Sequence, residues 1–157
     1  MKLRMIGILL VTAFCGCTSI SPEEETLATD GLIIRTGTAF GMCVGYCVKE
    51  YVLNGTSLSL TQKENLNPPK NPAKTCQKTI SQEDWSAIKA AANFENFSKQ
   101  PERIGCPDCA DGGAEYIELE ADGRKHRVTF EHSSTIPGSE SLVNALRAQR
   151  EAFNECN

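Results

Sequence analysis

Residues 115–130 read EYIELEADGRKHRVTF and predict a β-hairpin with its turn at Asp122-Gly123. Both central residues of a type I′ turn need positive φ angles, which this dipeptide tolerates well. A two-residue turn at this point gathers opposite charges on one face and apolar residues on the other. A slip of one residue would exchange the two faces, so the pattern fixes the register. The predicted pairs are Glu120 with Lys125, Glu118 with Arg127, Leu119 with His126, Ile117 with Val128, and Glu115 with Phe130.

A second hairpin is predicted at Asn54-Gly55, which has the same turn preference. Apolar residues alternate on both sides of this turn, so one face of the hairpin is expected to lie in the core. The predicted pairs are Leu53 with Thr56, Tyr51 with Leu58, and Lys49 with Leu60, and the buried side chains are Tyr51, Leu53, Leu58 and Leu60.

The segment that follows, Gln62 to Lys74, contains three prolines among asparagine and lysine residues. Proline has no N–H to donate to a sheet, and this composition is typical of surface loops. We therefore predict a mobile surface loop, and not a strand, over this segment.

Two amphipathic helices are predicted. Ser81 can cap the amide of Asp84 at the start of the first, and Ile80 can pack on Trp85 as a hydrophobic staple. The second follows Pro137-Gly138-Ser139. The first buried stripe is Trp85, Ile88, Ala91 and Ala92, continued by Phe94 and Phe97, and the second is Leu142, Ala145, Leu146, Gln149 and Phe153.

The second helix also has the charge distribution that a helix dipole favours. Glu140 lies near its positive end, and Arg147 and Arg150 lie near its negative end. The predicted fold class is α+β: an antiparallel sheet of about five strands, formed by the two hairpins and an N-terminal strand at Gly31–Thr36, covered on one face by two helices. Residues 31–157 are expected to form this single domain.

The composition agrees with one folded domain. The chain has 157 residues, 40% hydrophobic and 23% charged, with a formal net charge of −4. These values exclude disordered and collagen-like classes. The 16 basic residues are outnumbered by 20 acidic ones and form no run, so no nucleic-acid partner is expected.

The amino terminus, residues 1–16, is predicted to be a lipoprotein signal peptide. A cationic start precedes an apolar run, Met5 to Phe14, which is too short to cross a hydrocarbon core of about 30 Å as a helix. The sequence Phe14-Cys15-Gly16-Cys17 resembles the cleavage box of bacterial lipoproteins. Cys17 would then become the lipidated first residue, and residues 17–30 would form a flexible tether.

Cleavage alters the charge of the chain. Without residues 1–16 the protein has 14 basic and 20 acidic residues, a net charge of −6. A polybasic attraction to anionic headgroups is thereby excluded, so the lipid on Cys17 would provide the contact with the membrane. Thr18 stands where Asp would resemble an inner-membrane retention signal, so we expect an outer-membrane location in the cell envelope.

Six cysteines remain in the mature chain, and their even number in an exported protein favours disulfides. Two alternatives stay open: a zinc site formed by the two close pairs, and a thiol-redox site at Cys106-Pro107-Asp108-Cys109. A redox site needs a helix N-terminus to lower the thiol pKa, but a strand is predicted to follow this motif. The preferred pairing joins Cys43 to Cys47, Cys106 to Cys109, and Cys76 to Cys156.

No catalytic constellation is recognisable in the sequence, which has no P-loop or dinucleotide fingerprint. His126 and His132 lie on the same face of their predicted strand as core residues, and neither has an activated serine or cysteine beside it. Asp108, Asp111 and Glu115 lack the spacing of a calcium loop. We therefore assign no catalytic residue, no cofactor and no metal ligand, and expect the protein not to be an enzyme.

The segment Phe40-Gly41-Met42-Cys43-Val44-Gly45-Tyr46, followed by a strand and the Asn54-Gly55 turn, resembles the Cys-Phe-Gly-x-Cys-Pro-x-Tyr start of an uncharacterised bacterial envelope domain family. The resemblance covers about residues 31–153 and implies an exported α+β domain without an established activity. Ala39 and Val44 depart from the cysteine and proline of that motif, and Cys47 is additional. The order of strands and helices also looks like that of emfourin-type protease inhibitors.

The preferred function is a lipid-anchored envelope module that binds a protein or an envelope polymer, with Gln62 to Lys74 and the Gly-rich loop near Cys43 as contact sites. One alternative is a zinc- or thiol-dependent enzyme that uses Cys43/Cys47 and Cys106/Cys109. The other is a proteinaceous protease inhibitor, and the oligomeric state is left open.

The lipoprotein hypothesis predicts an acylated Cys17 at the amino terminus of the mature protein. Mass spectrometry of the N-terminal peptide should show the added lipid, and Cys17→Ala should release the protein from the membrane fraction. Cys15→Ala is the matched control and should leave acylation unchanged. An intact or unacylated terminus in the wild-type protein would refute the hypothesis.

Overall fold

Residues 31–156 are described by a computed structural model, and they form an α+β fold, as predicted. The strands are β1 (Ile33–Ala39), β2 (Val48–Asn54), β3 (Ser57–Lys63), β4 (Lys74–Thr79), β5 (Arg103–Ile104), β6 (Ala114–Ala121) and β7 (Arg124–Glu131). The α-helices are α1 (Gln82–Ala91), α2 (Phe94–Phe97) and α3 (Glu140–Glu151), and one 3₁₀ turn spans Cys109–Asp111.

The seven strands form one sheet in the order β4-β3-β2-β1-β6-β7-β5. Neighbouring strands are antiparallel except β5, which pairs in parallel with β7. The prediction of about five antiparallel strands is therefore corrected to a mixed sheet of seven. β4 gives no strand signal because KTCQKT lacks apolar alternation, and β5 has only two residues.

The second hairpin forms with the predicted register at every pair. Asp122 and Gly123 have φ angles of 51° and 72°, as a type I′ turn requires. On the face away from the helices, Arg35 of β1 joins the charged ladder, with its Nη1 2.6 Å from Glu120 Oε2 and 3.3 Å from Glu118 Oε1. The charged side of this hairpin is therefore the open face of the sheet.

The first hairpin buries the predicted face but has a different register. Its two-residue loop is Gly55-Thr56, and only Gly55 of the two has a positive φ angle, 59°. The observed and predicted partners differ by two positions, and a shift of two keeps every side chain on its face. The observed pairs are Leu53 with Leu58, Tyr51 with Leu60, and Lys49 with Gln62.

The loop predicted from Gln62 to Lys74 is shorter in the structure, because Gln62 and Lys63 belong to β3 and Lys74 begins β4. The connection is residues 64–73. The buried side chain of Gln62 accepts a hydrogen bond from Cys156 N at 2.9 Å and donates one to Asn154 O at 3.3 Å. These bonds to the end of the chain hold Gln62 in the strand.

α1 begins where its capping signal predicts. Ser81 Oγ accepts a hydrogen bond from the amide of Asp84 at 3.0 Å, and Ile80 and Trp85 are both buried. The stripe continues through Ile88, Ala91 and Ala92 and, in α2, through Phe94 and Phe97, all in the core or packed against it.

α3 contributes Leu142 and Leu146 to the core, as predicted. It also buries Val143 and Arg150, which the predicted stripe omits. Arg150 lies in the last turn of the helix as expected, but its side chain is buried and not solvated beside the helix end. The helices together cover the sheet face that carries the apolar core.

The six cysteines of the described residues lie at disulfide distance in the three pairs of the preferred pairing. Their Cα–Cα distances are 5.8 Å for Cys43–Cys47, 5.5 Å for Cys76–Cys156 and 5.5 Å for Cys106–Cys109. The Cys76–Cys156 pair links β4 to the segment after α3 across 80 residues of sequence. The other two pairs close short loops.

The signal peptide, the lipidated Cys17 and the tether are predictions for residues 1–30, which lie outside the described residues. Between residues 31 and 156, no helix has the length and apolar character needed to cross a membrane.

Replacement of Cys76 and Cys156 by serine should lower the free energy of unfolding by about 4 to 5 kcal/mol, because the unfolded chain loses its longest constraint. The matched change, Cys43→Ser with Cys47→Ser, should cost only about 2 kcal/mol, because it opens a short loop. Chemical denaturation of the oxidised proteins measures both. Equal losses for the two variants would contradict the assigned roles.

Candidate functional site

The helix-covered face of the sheet changes from apolar to polar along its strands. The row nearest the turns is Leu58, Leu53, Ile34 and Leu119, and the next row is Leu60, Tyr51, Thr36 and Ile117. The third row is Gln62, Lys49, Thr38 and Glu115, polar on four neighbouring strands. This row lies at the end of the sheet farthest from the turns, which we call the loop end.

A cleft of about 350 Å³ opens over this polar row. Lys49, Thr38 and Glu115 contribute to its floor, and α3 forms one wall with Arg147 and Arg150. The alternation of β6 points Glu115 toward the helices, where its carboxylate is only 2% exposed. The cleft therefore has a buried negative charge at its base.

Two arginines of α3 compensate that charge. Arg147 Nη2 lies 2.8 Å from Glu115 Oε1, and Arg147 Nε lies 3.1 Å from Glu115 Oε2, so the ion pair is bidentate. Arg150 Nη2 donates to Oε2, and the amide of Ser133 donates to Oε1 at 2.9 Å. Four donor groups thus surround one carboxylate.

The pKa of Glu115 reflects opposing effects. Burial raises the pKa, but the hydrogen bonds from Arg147 and Ser133 and the charge of Arg150 outweigh it and place the pKa below its ordinary value. Glu115 is therefore ionised at neutral pH, and it contributes to stability in that form.

Arg150 connects this cluster to two further strands. Its side chain, 8% exposed, donates from Nη1 to Thr36 Oγ1 of β1 at 2.5 Å. The hydroxyl of Tyr51 on β2 lies 3.5 Å from the carbonyl oxygen of Arg150. Burial raises the pKa of Tyr51, so its phenol stays protonated and can donate.

Beside this cluster, the cleft lining combines a cation with two rings. Lys49 Nζ donates to Asn154 O at 2.7 Å, just beyond the end of α3. The rings of Phe40 and His132 meet edge to face with their centroids 5.0 Å apart. The cleft therefore offers both charged and aromatic contacts.

The loops around the cleft are tied to one another. Asp108 Oδ1 accepts hydrogen bonds from Gly41 N and Gly113 N, both at 3.2 Å, and so joins the two short disulfide loops. Gly113 has a φ angle of 82°, and a Cβ there would lie 2.3 Å from Phe40 Cε1. Glycine is thus required for the close approach of the Phe40 ring.

The two histidines do not come together. His126 Nε2 lies 2.9 Å from Gln100 O beside α2, whereas His132 lies at the rim of the cleft. In residues 31–156, no three His, Cys, Asp or Glu side chains form a group that could hold a metal ion. Cys76 of β4 and Cys156 of the segment after α3 are not among the residues that line the cleft.

No protein-family model and no curated protein matches this sequence.

The buried ion pairs are the part of the site that the sequence reasoning misses. The hairpin register places Glu115 opposite Phe130 on the apolar face, and an acidic residue at such a position needs a cationic partner. Arg147 and Arg150, three residues apart on α3, are the candidates that this argument could have identified. Arg150 lies in the last turn of α3 as predicted, and its contact with Glu115 is additional to that position.

Glu115→Ala should lower the free energy of unfolding at pH 7 by about 3 to 5 kcal/mol, because it leaves the buried guanidinium group of Arg150 and the partly buried one of Arg147 without their carboxylate. The exposed Glu83→Ala on α1 is the control and should change it by less than about 0.5 kcal/mol. Because the folded-state pKa of Glu115 is depressed, its contribution is present above the ordinary value of 4.5 and is lost as the pH falls below it. Denaturation curves from pH 7 to pH 3 should show that loss in the wild-type protein and a smaller one in Glu115→Gln. Identical pH dependence in both proteins would contradict this role.

Proposed function

We propose that the protein is an exported lipoprotein that binds another protein through its loop end and performs no catalysis. The observation that carries the proposal is the exposure of Met42, Val44 and Leu66, at 78%, 102% and 47%. They are the exposed large hydrophobic residues identified in the described chain, and all belong to two loops, residues 40–47 and 64–73. Exposed apolar side chains gathered on one surface are typical of protein contact sites. We call these loops the apolar loop pair.

The two loops of the apolar loop pair contact each other. Asn65 Nδ2 donates to Phe40 O at 3.2 Å, and Tyr46 OH donates to Pro72 O at 3.0 Å. Lys74 Nζ lies 5.2 Å from the centroid of the Tyr46 ring. The three exposed side chains are therefore parts of one surface.

Each loop is also braced internally. Cys43–Cys47 closes the first loop. In the second, Glu64 Oε2 accepts from Lys70 N at 2.6 Å, and Glu64 Oε1 accepts from the Asn71 side chain at 2.6 Å. These bonds, led by that of Asn71, hold the pKa of Glu64 below its ordinary value. A braced loop loses little conformational freedom when it meets a partner.

The position of the loop pair suits a lipid-anchored protein. Residues 1–30 join the domain at Gly31, near the turn end, because Ile33 pairs with Asn54 and Glu120. β1 then carries the chain about 20 Å to the loop end. The apolar loop pair therefore lies at the opposite end of β1 from Gly31, the point where a tether from a lipidated Cys17 would enter the domain.

The three cysteine pairs agree with export to an oxidising compartment. The zinc- or thiol-dependent alternative would first require reduction of Cys43–Cys47 and Cys106–Cys109 to thiolates. Thiol counting in denaturant without reductant, together with metal analysis of the mature protein, distinguishes the two. Free thiols with stoichiometric zinc would replace the binding proposal by that alternative.

A protease inhibitor is the second candidate function, favoured by the full exposure of Val44 within the closed Cys43–Cys47 loop. A residue displayed in this way can enter a protease cleft while the loop around it keeps its shape. Inhibition of a purified protease by the wild-type protein, lost in Val44→Asp, would support this function. Cleavage of the loop without inhibition would count against it.

A photoreactive residue at Val44 should give a discrete protein adduct in intact cells, because this side chain is fully exposed in the apolar loop pair. The same residue at exposed Glu83 on α1 is the matched control and should give none. The partner, identified by mass spectrometry and purified, should bind the Met42→Ser, Val44→Ser double variant at least about tenfold more weakly than wild type.

Equal adducts at Val44 and Glu83 would overturn the proposed contact surface, as would full affinity in the double variant. Adducts with a polysaccharide and none with a protein would overturn the class of partner.

A further inference from the structure

The charges inside the cleft do not balance. Arg147 and Arg150 carry two positive charges against the single negative charge of Glu115, and all three side chains are at most 20% exposed. Lys49 adds a third positive charge and Glu151 a second negative one, so the side chains that line the cleft carry one surplus positive charge. A surplus of positive charge in a partly enclosed cleft favours a bound anion.

Donor groups in the cleft also remain available. Arg147 uses Nε and Nη2 for Glu115 and Ser134, and its Nη1 has no acceptor among residues 31–156. Lys49 Nζ can donate three hydrogen bonds and makes one, to Asn154 O. An entering anion can therefore accept from Arg147 Nη1 and Lys49 Nζ without displacing an existing contact.

The size and the rings of the cleft restrict the ligand further. A volume of about 350 Å³ lies at the small end of the range for ligand pockets, about 300 to 1,000 Å³. Phe40 and His132 supply an aromatic wall beside the charged groups. The ligand that fits this arrangement has one anionic group next to an apolar or aromatic side chain.

We propose that the cleft binds a carboxylate of an extended peptide segment, with its oxygens between Arg147 and Lys49 and its neighbouring side chain against Phe40. A carboxylate carries the single negative charge that offsets the surplus positive charge of the cleft. Phe40 both lines the cleft and begins the apolar loop pair, two residues before the exposed Met42, so one acidic and hydrophobic segment of a partner could contact both surfaces. The biological role of the cleft rests on the proposed protein-binding function, but its chemistry does not.

Three small probes test this assignment by titration into isotope-labelled mature protein, followed by amide chemical shifts. N-acetylphenylalanine presents the carboxylate and the ring, its amide analogue removes the charge, and phenyl phosphate replaces the carboxylate by phosphate. N-acetylphenylalanine should shift the amides of Phe40, Ser133 and Asn154, with a Kd on the order of 1 mM. The amide analogue should not shift them at the same concentrations.

Lys49→Met tests the contribution of Lys49 to ligand affinity and leaves the Glu115 cluster untouched. Gln62 still donates to Asn154 O in this variant, so the segment after α3 stays attached. Affinity for N-acetylphenylalanine should fall about fivefold, while Lys49→Arg should stay within about twofold of wild type. Lys99→Met, an exposed lysine after α2, is the matched control and should bind as wild type does.

Absent shifts with N-acetylphenylalanine, or equal shifts with its amide, would overturn the proposal. Tighter binding of phenyl phosphate by tenfold or more would reassign the cleft to phosphate groups. Undiminished affinity in Lys49→Met would remove Lys49 from the site. Since none of these probes needs the partner, a failure here is distinguishable from a failure of the Val44 crosslink.

Discussion

The carboxylate of Glu115 determines where α3 lies on the sheet. It occupies a position where an apolar side chain would otherwise extend the core, and its burial requires cationic partners. Arg147 and Arg150 provide them from α3, and Arg150 also donates to Thr36 on the neighbouring β1. Because a guanidinium group bonds in fixed directions, these contacts set the position of the helix both along and across the strands.

The position of α3 in turn sets the course of the C-terminal segment. Beyond the helix, Asn154 O accepts from Lys49 on β2 and Gln62 on β3, and Cys156 pairs with Cys76 on β4. Neighbouring strands from β6 to β4 thus each contribute a side chain that contacts α3 or the residues after it. The ion pairs and the long-range disulfide therefore both hold α3 and the residues after it on the sheet. The cleft lies between these residues and the sheet.

The second hairpin is predictable in full because charged and apolar residues alternate on both strands, and one register satisfies both faces. In the first hairpin, alternation identifies the buried face, but two registers that differ by two residues bury the same side chains. β4 lies at the sheet edge with most of its residues exposed, so burial leaves no pattern there. The pairing of Glu115 with Arg150 spans 35 residues of sequence, and the local pattern around Arg150 matches an ordinary helix end. Local sequence patterns thus do not predict the contacts between helices and strands, and these contacts form most of the cleft.

The three disulfides differ in what they contribute. In the chain-entropy description the effect on unfolding grows with loop length, so Cys76–Cys156 stabilises the fold most and each of the two short loops contributes less. The short loops instead limit the conformations of segments beside the cleft, which Asp108 joins through its bonds to Gly41 and Gly113. Ordering a loop during association costs free energy, and covalent closure beforehand reduces that cost. Because both local disulfides lie at the loop end, they restrict the surface beside the cleft, whereas Cys76–Cys156 constrains the chain across the sheet.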